Sequence, residues 1–281
     1  KNIKIERKLY SNRELINKYD SIKINNNLLF RFGSAEGKNI CYEITYEKNY
    51  DMEKTDEEIQ DEILEIYREC KERIQFINMY LGTSILLDYA NTYVDNKINS
   101  IFSDNLGGTY EEHSFEKYTC GEINQEEKEY FLQNFEELFQ NMKKNEYLKL
   151  INEIYDSNLY TSNFRMLFIN FTTCLEILLV TGKSEIVYKI ARGIAVLLST
   201  SKEEGKKFFE QMKDLYDMRS KLIHEGKYDD TKFIKKYKIE PIISLKNITN
   251  KAVRKAIKLN MNKEDLILLI NESGYGELEK I

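Results

Sequence analysis

Two side chains in the stretch LYDMRSKLIHEGK, residues 215–227, could act together on a phosphate group. Arg219 carries a guanidinium that stays charged and binds phosphate oxygens through a planar fork of donors. His224 follows five residues later and is one of only two histidines in the chain. An imidazole titrates near neutral pH, so it can accept or donate a proton there. Because RNA carries its own nucleophile, the ribose 2′-hydroxyl, these two groups have the chemistry for metal-free cleavage of RNA.

The apolar spacing around Arg219 predicts a helix that starts near Lys202 and positions the pair. Five positions fall on one stripe of that helix, and all but the arginine are apolar: Phe208, Met212, Leu215, Arg219 and Leu222. An arginine in such a stripe is costly unless its fork is paired or faces a cleft. Two other lone charges, Glu176 in FTTCLEILLV and Arg192 in YKIARGIAVLL, also lie in apolar segments. A structural ion pair of Glu176 with Arg219 or Arg192 would explain them, and so would a functional site.

Composition and periodicity predict long helices. The 281 residues include only 1 Pro and 12 Gly, so few positions interrupt regular structure. From about Asn124 onward apolar residues recur at helical spacing, with Ser184 and Ser201 as predicted N-caps and Gly226 as a left-handed stop. Upstream, the runs NLLFRFG and NICYEITYE predict a β-hairpin. Residues 84–122 fit either strands with loops or a broken helix.

We therefore expect an α+β, predominantly α fold in two domains. Residues 1–121 would form a mixed α/β domain to which the sequence assigns no role, and residues 122–281 a helical bundle. No apolar run is long enough to cross a bilayer, and no signal-peptide pattern opens the chain. These features predict a cytoplasmic protein without a membrane partner.

Charge and cysteine spacing bound the possible ligands. The net charge is -5, yet residues 183–262 hold 19 Lys and Arg against 10 Asp and Glu, a local excess of +9. Such a segment can attract polyanions, although solvated lysine-rich helix faces explain it equally well. The four cysteines show no CxxC spacing, and His113 lies in a polar stretch to which we assign no role. No metal or other cofactor is expected.

The segment TGKSE, residues 181–185, resembles the end of a phosphate-binding loop. It lacks the glycine that such a loop needs five residues before Gly182, because Ile177 stands there. It also follows a predicted helix instead of a strand. The segment therefore predicts a turn between two helices.

The phrase LYDMRSKLIHEGK resembles the signature of the HEPN superfamily, an arginine followed after four to six residues by a histidine. It is most similar to the Apea-like HEPN branch, in which the phrase commonly runs Leu-Tyr-Asp-Leu-Arg-Ser-Lys, two hydrophobic residues, then His-Gly. FRMLFINFTTCLEILL and YKIARGIAVLL are similar to the preceding helices of that branch. The resemblance covers residues 125–227. Glu225 departs from it by separating His224 from Gly226.

The resemblance implies an endoribonuclease built on a HEPN-like helical bundle that forms a homodimer. Carried over by position, Arg219 and His224 would be catalytic and Glu176 would orient one of them. The candidate RNA contacts lie near the pair or elsewhere in the basic segment: Ser220, Arg192, Lys221 and Lys227. The implied setting is bacterial anti-phage defence or a toxin system, with RNA such as tRNA as target. DNA lacks the 2′-hydroxyl, so its cleavage is not expected.

A non-catalytic HEPN module that dimerises or docks a partner is the alternative interpretation. In that case Arg219 and Glu176 would be purely structural.

Overall fold

The computed structural model of the chain describes residues 2–11, 27–35, 38–47, 56–82, 86–94, 97–102, 123–159, 161 and 163–278. The chain divides into two compact units. One comprises Lys1–Gln75 and Ser84–Glu112, and the other comprises Phe76–Thr83 and His113–Ile281. The predicted domain boundary at 121/122 stays a prediction, because residues 103–122 lie outside the described residues.

The first unit contains a five-stranded antiparallel sheet and most of a long helix. Its elements are β1 (Asn2–Ser11), β2 (Asn27–Ala35), β3 (Lys38–Glu47), α1 (Asp56–Leu81), β4 (Leu86–Val94) and β5 (Lys97–Phe102). The strand order is β1-β3-β2-β4-β5. β2 and β3 pair over the two runs for which the sequence predicts a hairpin, with Leu28 opposite Ile44. β4 and β5 occupy the part of residues 84–122 that is described, so strands are found there instead of a broken helix.

The second unit is helical, which confirms that the described fold is predominantly α. It contains the end of α1 and eight further described helices: α2 (Gln125–Lys144), α3 (Glu146–Leu159), α4 (Phe164–Leu179), α5 (Ile186–Leu198), α6 (Lys202–Glu225), α7 (Thr231–Tyr237), α8 (Pro241–Leu259) and α9 (Lys263–Glu272). None of these described helices is long and apolar enough to cross a membrane.

Helix α4 lies at the centre of the bundle, as its apolar sequence predicts. It packs against α3, α5, α6 and α8. Eight of its sixteen residues are buried: Leu167, Phe168, Phe171, Thr172, Cys174, Leu175, Leu178 and Leu179. Fully burying side chains of this size contributes about 1.5–3 kcal/mol each before the entropic cost of ordering the chain. A helix covered on several sides is therefore a rigid base for any charge that it carries.

The predicted helix ends at Ser201 and Gly226 are confirmed, and α2 has a cap that was not predicted. The side chain of Asn124 accepts a hydrogen bond from the Glu127 amide at 2.7 Å and caps α2. Ser201 caps α6 by accepting from the Glu204 amide at 3.2 Å. Gly226 ends α6 with φ of 67°, a left-handed conformation that costs other residues more than glycine.

The prediction that Ser184 caps α5 is wrong. The residue before the helix is Glu185, whose own φ is 56° and whose side chain makes no capping bond. The turn uses Gly182 at φ 74° as well. These two left-handed residues place Ser184 outside the helix, where its hydroxyl does not cap the first amides. The turn itself follows the helix α4, as predicted for TGKSE.

Candidate functional site

Helix α6 places the predicted apolar stripe against the bundle. Met212, Leu215 and Leu222 on that stripe are buried, and Leu215 is completely so. Arg219 lies between Leu215 and Leu222 on the same side of the helix, one turn from each. Only 21% of its side chain is exposed, so the stripe carries the guanidinium into the contact between α6 and α4.

Glu176 on α4 meets Arg219 there. The Arg219 Nη2 lies 3.1 Å from Glu176 Oε1, and the glutamate side chain is 26% exposed. Of the two ion pairs that the sequence left open, the structure contains Glu176 with Arg219. At this degree of burial the partners are screened less than a surface pair, and removing one would leave the other charge poorly solvated.

Tyr216 completes a three-residue cluster that the sequence analysis missed. Its hydroxyl donates to Glu176 Oε1 at 2.8 Å, the same oxygen that forms the ion pair with Arg219. The Arg219 guanidinium also lies over the Tyr216 ring, 5.3 Å from its centroid. Burial, followed by the hydrogen bond to Glu176, raises the pKa of Tyr216 to about 12. The available signal was spacing, because Tyr216 precedes Arg219 by three residues and so shares its face.

The guanidinium is only partly satisfied by this cluster. Arg219 Nε is buried and has no hydrogen-bond partner among the described residues. The contact with Glu176 joins one nitrogen to one oxygen and is not a bidentate fork. Because Nε has almost no accessible surface, an anionic ligand could meet Arg219 only through the 21% of its side chain that is exposed.

His224 lies in the last turn of α6, and its side chain is exposed. Five residues of α-helix separate two side chains by roughly 140° around the axis and about 7.5 Å along it. Arg219 and His224 therefore project from different sides of α6, and no contact between them is present in the described residues. A single chain brings Arg219 to Glu176 but does not bring His224 to either.

Among the other candidates near the end of α6, the two lysines lie beside acidic residues and the serine is partly buried. Lys221 Nζ lies 2.6 Å from Asp217, and Lys227 Nζ lies 3.2 Å from Glu225. Both lysines are exposed, and Ser220 is half-buried. Surface pairs of this kind are weak, so both lysines can exchange their partner for a phosphate at little cost.

Arg192 serves a different contact. Its Nη2 donates to the carbonyls of Ile270, Asn271 and Ser273 at 3.3, 3.2 and 3.0 Å. These are carbonyls at the C-terminal end of α9, where a cation also meets the negative end of the helix dipole. The structure does not bring Arg192 into the Glu176–Arg219 pair.

A second charged cluster joins α1, α2 and α8, and sequence reasoning did not identify it. Glu127 accepts from the Tyr80 hydroxyl and from Lys258 Nζ, each at 2.6 Å. Arg254 is 7% exposed, and its Nη1 donates to the Tyr80 carbonyl at 3.3 Å. The residues of this cluster are far apart in the sequence, so no local spacing pattern indicates it. This cluster ties the end of α1 to the bundle.

His113 lies outside the described residues, as do its neighbours. Within the described ranges, no group of three or more His, Cys, Asp and Glu side chains is placed to hold a metal ion. Cys174 on α4 is buried.

Comparisons with known proteins find no family model that matches the chain and no significant match among curated proteins or solved structures.

Proposed function

We propose that this protein is a metal-independent endoribonuclease of the HEPN type. The observation that carries the proposal is the state of Arg219. Its side chain is held inside an apolar stripe by Glu176, remains 21% exposed, and lies on the helix whose tip presents the exposed His224. A held and partly exposed guanidinium suits a phosphate that gains charge during reaction.

In the proposed reaction the ribose 2′-hydroxyl attacks the adjacent phosphorus. The P–O5′ bond breaks, and the products are a 2′,3′-cyclic phosphate and a 5′-hydroxyl. The His224 imidazole takes the 2′-hydroxyl proton or protonates the leaving 5′-oxygen. Arg219 stabilises the charge on the non-bridging oxygens, and Glu176 orients Arg219 through the 3.1 Å pair. Ser220, Lys221 and Lys227 contact the RNA backbone.

The site requires two copies of the chain. One imidazole cannot serve as acid and base in the same event, and Arg219 and His224 project from different sides of α6. A two-fold axis near the tip of α6 would place two histidines and two arginines around one phosphodiester. We therefore propose a homodimer in which both α6 helices line one cleft.

The same proposal extends to the architecture of the two units and to the cellular process in which RNA is cut. The bundle would be HEPN-like, and the unit bearing the sheet would be a mixed α/β domain that senses a trigger or positions substrate. RNA such as tRNA would be cut in the cytoplasm during anti-phage defence or toxin action. The basic excess of residues 183–262 supports polyanion binding, since RNA affinity depends heavily on phosphate contacts.

The test is cleavage of total RNA in EDTA by the parent chain, His224→Ala and Arg219→Ala. The proposal expects cleavage by the parent with chelator present and loss in both variants. A synthetic RNA carrying one 2′-deoxyribose at the mapped cut site is the chemical control, and it should resist cleavage there. If His224→Ala folds, dimerises and cuts like the parent, the catalytic assignment is wrong.

A non-catalytic docking module is the second candidate, and one observation favours it. The Glu176–Arg219–Tyr216 cluster forms within a single chain, as a structural ion pair would. This candidate expects Arg219→Ala to lose stability or partner binding while His224→Ala changes nothing.

A further inference from the structure

The contacts of Tyr216 give it a specific place beside the proposed site. Glu176 Oε1 accepts a hydrogen bond from the Tyr216 hydroxyl at 2.8 Å and forms an ion pair with Arg219 Nη2 at 3.1 Å. The Tyr216 ring supports the guanidinium from one face at 5.3 Å. Arg219 is therefore restrained by Tyr216 both directly, through the ring, and indirectly, through the shared carboxylate.

A carboxylate held by a single arginine contact can rotate about its terminal torsion, which is broad for glutamate. The hydrogen bond that Tyr216 donates to the same oxygen restricts that rotation. The hydrogen bond to a charged acceptor is of the stronger kind. Because Tyr216 and Arg219 lie three residues apart on α6, the helix presents both side chains on the face that meets Glu176.

We propose that Tyr216 is a positioning residue, which fixes the Arg219 guanidinium through Glu176 so that the exposed part of Arg219 faces the scissile phosphate. This inference rests on the proposed nuclease function and deepens it. Tyr216 does not touch substrate. Its raised pKa is consistent with this role, because the phenol stays a donor throughout the pH range in which an imidazole titrates.

Tyr216→Phe tests the role because it removes the hydroxyl and keeps the ring. Tyr237→Phe is the matched control, since the Tyr237 hydroxyl also donates to a carboxylate, Asp214, at 2.8 Å. The measurement is kcat and KM on one synthetic RNA, beside the parent and His224→Ala. We expect Tyr216→Phe to lower kcat about tenfold, the effect of one hydrogen bond to a charged group, with KM unchanged. Tyr237→Phe should retain the parent kcat.

A second readout separates the two possible failures. In protein carrying ¹⁵N-arginine, the Arg219 Nε–H resonance, assigned by its loss in Arg219→Lys, should shift or broaden in Tyr216→Phe and not in Tyr237→Phe. If the parent and His224→Ala differ but Tyr216→Phe keeps the parent kcat, the positioning role is overturned and the nuclease stands. If the parent and His224→Ala do not differ, the nuclease proposal fails and takes the positioning role with it. A resonance shift would then mark a purely structural cluster.

Discussion

Arg219 on α6 and Glu176 on α4 form an ion pair of 3.1 Å across the contact between two helices of the bundle. Both side chains are about three-quarters buried, and Tyr216 donates to the same carboxylate oxygen. The pair places a charge of each sign inside surfaces that are otherwise apolar. It therefore restrains the Arg219 guanidinium at the contact between α6 and α4.

Replacing Glu176 by glutamine should destabilise the bundle by about 1–2 kcal/mol, because the Arg219 charge stays partly buried without its counter-ion. Urea unfolding measures the change. Glu225→Gln is the matched control, since it removes the exposed pair with Lys227 at a nearly equal 3.2 Å. That variant should stay within about 0.5 kcal/mol of the parent. Equal losses in the two variants would show that burial does not strengthen the Glu176 pair.

The Glu127 cluster should make stability depend on pH in the acid range. Burial acts to raise the pKa of Glu127, but hydrogen bonds from Lys258 and Tyr80 outweigh it, so the pKa lies below its usual value. Such a carboxyl adds stability above its unfolded pKa of about 4.3 and loses it as pH falls through the folded pKa. We expect the free energy of unfolding to decline below about pH 4.3 more steeply in the parent than in Glu127→Gln.

Glu126→Gln is the control for that pH series, because Glu126 is exposed and lies in the same first turn of α2. It should keep the acid slope of the parent. A Glu127→Gln variant with the parent slope would contradict the assignment.

Arg192→Met should loosen α9. The substitution keeps an apolar stem and removes the donors to the three carbonyls at the end of α9, at a cost of about 1–3 kcal/mol. Amide hydrogen exchange in residues 263–272 should accelerate. Lys189→Met on the same helix loses one exposed bond to the Thr181 carbonyl and should leave that exchange unchanged. If amide hydrogen exchange in α9 is unchanged in Arg192→Met, Arg192 does not cap that helix.

Gly226→Ala should destabilise the protein by about 1–2 kcal/mol. An added Cβ would meet no atom within 4 Å, so the cost comes from the φ of 67° alone. Gly226→Asn should cost less, because asparagine tolerates the left-handed region better. Thermal unfolding of the two variants gives the comparison. A stability order with alanine above asparagine would refute the backbone explanation.

Local patterns in the sequence determined the helices and several of their ends. The 3/4 spacing on α6 predicted the buried stripe, and Ser201 and Gly226 marked the two ends of that helix, because capping depends on groups a few residues apart. Ser184 failed as a cap since left-handed Glu185 starts α5 one residue later. The same spacing identified Arg219 as a charge that needed an explanation, and the apolar segment around Glu176 did so for that carboxylate.

Only the tertiary structure decided how those charges are partnered. The sequence left two arginines as possible ion-pair partners of Glu176. Packing of α6 on α4 brings Arg219 to Glu176, and Arg192 donates instead to the end of α9. Tyr216 and Glu127 gained their roles from residues 40 and 131 positions away in sequence. Periodicity within one segment reports which face of a helix is buried. It carries no information on which distant side chain meets that face, because this depends on how the helices cross.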